Sequence, residues 1–144
     1  MKLKQSKGGF TLLEIIIVII IVGVLASLAL PRFFATVEFS KSAEALTALG
    51  VLRDSVERCY TAAGGTYNPS PTPCGVGSID VEDPGLSPGA RFTYAVSGQS
   101  ATGYVITAAR NTVDGGGGTT NWITVTQTST GVTRAGSGAF VGIK

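Results

Sequence analysis

The sequence predicts an α+β chain in which a long N-terminal helix, membrane-spanning in its first half, packs by its second half on a small antiparallel meander sheet of about four strands. Three observations carry this. The 17 residues from Ile15 to Pro31 hold no charge and are nearly all Ile, Val, Leu, Ala or Gly. Apolar residues recur at three- or four-residue spacing between Phe39 and Tyr60, the mark of an amphipathic helix. After Arg91 the period falls to two, as in half-buried strands. The bulk figures of 44% apolar and 14% charged over 144 residues therefore average unlike halves.

About 20 residues cross a hydrocarbon core of roughly 30 Å, so Ile15 to Pro31 is at the short limit and Phe10 to Leu30 reaches full length by including Glu14. Lys2, Lys4 and Lys7 precede the block with no acid among them, which keeps the start cytoplasmic and sends the rest out across the membrane. Without these lysines the formal charge of +2 becomes eight basic against nine acidic residues, a balance of −1. No basic stripe survives in the body of the chain, which argues against nucleic acid as a partner. The competing reading is a secretory signal peptide cut near Ser27-Leu28-Ala29. Against it stand a carboxylate inside the apolar core, which costs about 2.5–3.5 kcal/mol at a helix centre and less near the interface, and a helical pattern that continues in phase past Pro31.

The run Lys7-Gly8-Gly9-Phe10-Thr11-Leu12-Leu13-Glu14, followed by the apolar stretch with Gly23, Ala26, Ala29 and Pro31, closely resembles the N-terminus of type IV prepilins and type II secretion pseudopilins. The likeness covers roughly the first 35 residues; beyond them it is one of architecture, a pilin-like fold. It implies that a prepilin peptidase cuts between Gly9 and Phe10 and N-methylates the new Phe10 terminus, leaving the apolar block in the mature protein. It also implies a homo-oligomeric helical filament, shared with other pilins or pseudopilins and drawn from the membrane by a platform protein and a cytoplasmic ATPase. The common Leu-Ile-Glu of the family stands here as Leu12-Leu13-Glu14.

Glu14 has a physical rationale of its own. A carboxylate in an apolar setting needs a partner, and a neighbouring subunit's Phe10 α-amine is a suitable one in a stretch with no other cation before Arg32. Such pairing would fix axial register during assembly, whereas the plainer alternative has Glu14 reach the headgroups.

From Arg32 to Tyr60, Phe39, Leu46, Leu49, Leu52, Val56 and Cys59 or Tyr60 form the expected buried face, while Lys41/Glu44, Arg53/Glu57 and Asp54/Arg58 are spaced to pair along the helix. One continuous helix from about Phe10 to Tyr60 would be roughly 75 Å long. Pro31 removes a helical N–H and Gly23 weakens the helix upstream, so Gly23 to Pro31 is the expected site of melting or of a kink.

Thr61 to Ala90 holds five of the six prolines and reads as a long loop. Cys59 and Cys74, 15 apart in an exported chain, read as a disulfide pinning that loop to the helix. Many members of the resembled family place theirs nearer the C-terminus. Asp80, Glu82 and Asp83 could ligate calcium, but solvated loop charge is the simpler reading. Strands are expected at Phe92 to Val96, Tyr104 to Ala109, Trp122 to Gln127 and near Val132 to Arg134, with the glycines Gly115 to Gly118 as a hairpin tip and not a phosphate loop.

The parts then run 1–9 leader, 10–31 membrane and filament-core helix, 32–62 amphipathic helix, 63–90 Pro/Gly-rich loop and 91–144 sheet and tail. No histidine and two cysteines remove His-based catalysis and ordinary zinc sites, so no catalytic residue, metal or cofactor is assigned. A pilus subunit is the leading expectation, a secretion pseudopilin the alternative within the class, and a membrane-tethered minor pilin binding DNA or a surface the alternative outside it.

Overall fold

The computed structural model describes residues 9–114, 118 and 120–143, so the leader lysines and most of the glycine run lie outside the described residues. The chain divides into two compact units at Thr36/Val37. A single helix, α1 (Leu12–Ala62), begins in the first and ends in the second.

In the first unit α1 is unbroken through Gly23 and Pro31, and every described residue up to Thr36 is exposed. Ile and Val have modest helix propensity in water. In hydrocarbon a single helix satisfies all its backbone groups internally, which makes it the spanning structure open to a lone segment. Among the described residues α1 is the one helix long and apolar enough to cross a membrane.

The second unit sets the rest of α1 against four strands, β1 (Phe92–Ser97), β2 (Tyr104–Arg110), β3 (Trp122–Thr128) and β4 (Gly131–Gly136). They form an antiparallel meander in the order β1-β2-β3-β4. Its register aligns Tyr94, Ala108 and Ile123 in one inward row and Val96, Ile106 and Val125 in the next. Against these rows α1 buries Ser42, Ala45, Leu49, Leu52 and Val56, a stripe spaced three, four, three and four residues apart. Each fully buried Leu or Val contributes about 1.5–3 kcal/mol, so this stripe is the main adhesive of the domain.

Of the expected face, Leu49, Leu52 and Val56 lie in the core and Leu46, Cys59 and Tyr60 pack at its margin; Phe39 does not join it, being 48% exposed. One helix pair runs along α1, Lys41 with Glu38, but the others reach outward: Lys41 also meets Asp114, Glu44 pairs with Arg91, and Arg58 with Asp80.

Residues 63–91 carry one short 3-10 turn, Pro84–Leu86, whose start is capped by the Asp83 carboxylate accepting from the Gly85 N–H at 2.8 Å. A second turn, Gly138–Phe140, follows β4 and brings Phe140 into the core beside Phe92, ring centroids 5.7 Å apart. Gly136 is required there, because a Cβ would collide with the Phe140 carbonyl.

Candidate functional site

Glu14 lies in the first turn of α1, and its local role is one that reading the sequence for ion pairs overlooks. The Glu14 N–H donates to Thr11 Oγ1 at 3.3 Å, while the Thr11 N–H and hydroxyl both reach Glu14 Oε2, at 3.4 and 3.5 Å. This is a reciprocal capping box, which satisfies donors that a helix start otherwise leaves bare. Its signature, Thr-x-x-Glu ahead of an apolar run, stands in the sequence at Thr11-Leu12-Leu13-Glu14. The two bonds use Oε2, so the cap fixes the carboxylate at the head of the helix, with Oε1 making no hydrogen bond among the described residues. Phe10 beside it is 81% exposed, and Gly9 is exposed too. From Leu12 to Leu30 the helix then offers apolar side chains on all sides.

The folded unit is held by three clamps. The first is the Cys59–Cys74 disulfide, with Cα atoms 5.9 Å apart, which ties the loop to α1 as expected. The Cys74 N–H also donates to the Tyr67 carbonyl at 3.0 Å. Replacing both cysteines by serine is expected to lower stability by about 3 kcal/mol, the value for closing a loop of this length. Denaturant titration followed through Trp122, the chain's one tryptophan, checks this.

In the second clamp Glu57 accepts from the Tyr67 hydroxyl at 3.0 Å and from the Tyr104 hydroxyl at 2.9 Å, joining helix, loop and sheet. Burial, reinforced by the Glu57 carboxylate, pushes the Tyr67 phenol up to about 12 and raises that of Tyr104 as well.

The third clamp is ionic. Arg110, 1% exposed at the end of β2, bonds Glu38 through Nε at 3.2 Å and Nη2 at 3.3 Å, and Asp114 through Nη2 at 2.5 Å. Its Nη1 donates to the carbonyls of Arg91 and Asn111 at 3.0 and 3.1 Å, and the guanidinium lies 5.6 Å from the Phe92 ring centroid. Burial alone would raise the Glu38 carboxyl, but Arg110 and Lys41 together outweigh it and hold the group below its usual 4.5. At the exposed loop, Arg58 and then Ser55 draw Asp80 from 3.8 to about 2.

Both carboxyls are lowered on folding, so their stabilisation is complete above their unfolded values and is lost as pH falls through the folded ones. Melting temperature read by Trp122 fluorescence is therefore expected to fall from about pH 5 down to about pH 2. Asp80→Asn should remove only a small part of that slope, because Asp80 is solvent-screened.

Asp80 and Asp83 are occupied by Arg58 and Gly85, and the described residues contain no group of three metal-ligating side chains.

The comparisons with known proteins agree with this geometry. Residues 4–30 match the family model described as the prokaryotic N-terminal methylation motif. The chain is 32% identical to the fimbrial protein EcpC of Eikenella corrodens over 142 residues, covering 99% of this chain and 76% of that one. It is 34% identical to a probable minor fimbrial protein of Dichelobacter nodosus over 109 residues, 76% of this chain and 61% of the relative. With the type IV major fimbrial protein FimA of the same organism it shares 33% identity over 57 residues, 40% of this chain and 36% of FimA. No solved structure matches. The motif at the head of α1 and the near full-length match to a fimbrial protein lead to one assignment: the chain belongs to the type IV pilin family, whose members are structural fimbrial subunits and not enzymes.

Proposed function

We propose that this chain is a structural subunit of a type IV pilus, cut by a prepilin peptidase between Gly9 and Phe10, N-methylated on Phe10 and polymerised through α1. The observation that carries the reading is the first half of α1, apolar on every face yet part of the helix that supports a folded domain. A helix hydrophobic all round must be covered by lipid or by protein. The same segment therefore serves first as an inner-membrane anchor and then, packed against other copies, as the core of a fibre. Cleavage on the leader side of the apolar block keeps that segment in the mature chain.

Glu14 sets register by pairing with the Phe10 amine of a neighbour, its other oxygen being engaged in the capping box. Extraction from lipid needs external work, supplied by a cytoplasmic ATPase through a membrane platform protein. Gly23 and Pro31 are the points at which α1 loosens on packing. The fimbrial relatives favour a pilus over a secretion pseudopilus. Shearing whole cells tests the choice. The chain is expected in the released filaments; its retention in the periplasm, with loss of exoprotein secretion on deletion, would assign it to the pseudopilus instead.

A further inference from the structure

The two flanks of the folded unit carry complementary charges that find no partner among the described residues. On one flank, Arg53 of α1 and Arg134 of β4 line a hollow of about 80 Å³ floored by Leu49 and Val125, with Asp54 at its rim. Arg53 Nε is buried without an acceptor, and buried donors are rarely left so. Arg134 is exposed and makes no hydrogen bond or ion pair among the described residues. Two guanidiniums against one carboxylate leave the hollow net positive.

The other flank presents an acid. Asp80 is held by Arg58 and Ser55, and Asp83 by the Gly85 N–H, so the loop is fixed at both ends of a four-residue stretch. Between them Glu82 is exposed and has no partner among the described residues.

These groups cannot meet within one copy. Ser55 and Arg58 face the loop on one side of α1, whereas Gly50 and Arg53 face β4 on the other. The Pro84–Leu86 turn packs on β1, and β1 and β4 are opposite edges of the sheet. Three inter-strand steps alone separate those edges by about 14 Å.

We propose that Glu82 of one copy enters the Arg53–Arg134 hollow of the next. The contact joins two different surfaces, so it is heterologous and repeats from copy to copy, the geometry that builds a fibre when the rotation does not close. It rests on the reading of the chain as a filament subunit and names a contact between the folded units of that filament. A guanidinium pair around one carboxylate supplies both the acceptor missing from Arg53 and directional bonding.

Charge reversal in cells making the full chain tests it. Glu82→Arg and Arg134→Glu are each expected to lower the yield of sheared filaments by about tenfold, and the double variant to recover most of it, because reversal inverts the charge of both surfaces. Neither side chain bonds among the described residues of its own copy, so melting followed by Trp122 fluorescence should stay at the wild-type value. In a second arm, Glu82→Cys combined with Arg134→Cys should give a ladder of disulfide-linked copies from oxidised filaments. Single reversals at wild-type yield, or a double variant no better than the singles together with no ladder, would overturn the contact alone. A wild-type chain absent from filaments would instead remove the subunit reading, and this contact with it.

Discussion

Glu14→Gln is expected to leave the chain cut and methylated yet lower its entry into filaments by about a hundredfold, within the range for truncating one partner of a desolvated charge pair. The substitution is chosen for what it keeps. Thr11 caps the helix with Glu or Gln at the third helical position, so the amide preserves the reciprocal bonds seen at Thr11 and removes only the charge. Glu14→Ala is expected to be worse, losing the pair and about 1 kcal/mol of capping as well. Filament protein in the sheared fraction, divided by the pool left in the membrane, measures the effect. Intact mass of the membrane pool shows that processing is unchanged. Wild-type incorporation of the Gln variant would mean that Glu14 is a helix cap and nothing more.

Arg110→Ala is expected to cost the folded unit about 3 kcal/mol, the low end of the 3–5 kcal/mol for removing one partner of a buried ion pair. The low end applies because Glu38 and Asp114 keep 17% and 28% of their side-chain surface and can be rehydrated. For a unit of this size that is roughly 10–20 °C in melting temperature. Arg110→Lys should fall between, since one ammonium cannot serve Glu38, Asp114 and two carbonyls in their fixed fork. Thermal melts by Trp122 fluorescence at neutral pH give all three values. A loss below about 1 kcal/mol, the range of exposed pairs, would show that the cluster is only surface charge.

Arg110 also shows where sequence reading stops. The helix was legible within two residues at either end, and each strand within a residue or two, because runs of one period end at Gly, Pro or charge. Arg110 continues the inward parity of Tyr104, Ile106 and Ala108, so the alternation itself pointed into the core. The expected strand stops at Ala109, one residue short of Arg110. Glu38 is the mirror case on α1: it stands four residues before Ser42, at the next position of the buried stripe, and its neighbour Phe39 faces solvent. Hydrophobicity selected Phe39, but an ion pair had filled the position.

Local chemistry was legible where it depends on fixed spacing. Cys59 and Cys74 were paired correctly from their separation and from export, and the bond is present. The capping box is written just as openly, as Thr-x-x-Glu at Thr11 and Glu14 ahead of the apolar run. Pairings such as Glu44 with Arg91 and Glu57 with Tyr104, each 47 residues apart, have no sequence signal, because the topology alone brings them together.

The most direct test of the subunit reading is the intact mass and N-terminal sequence of the mature protein. A chain starting at Phe10 and carrying one added methyl group is the expected result, with the whole of α1 kept for assembly. A chain starting near Leu30 would contradict it, since the apolar half of α1 would then be a discarded export signal.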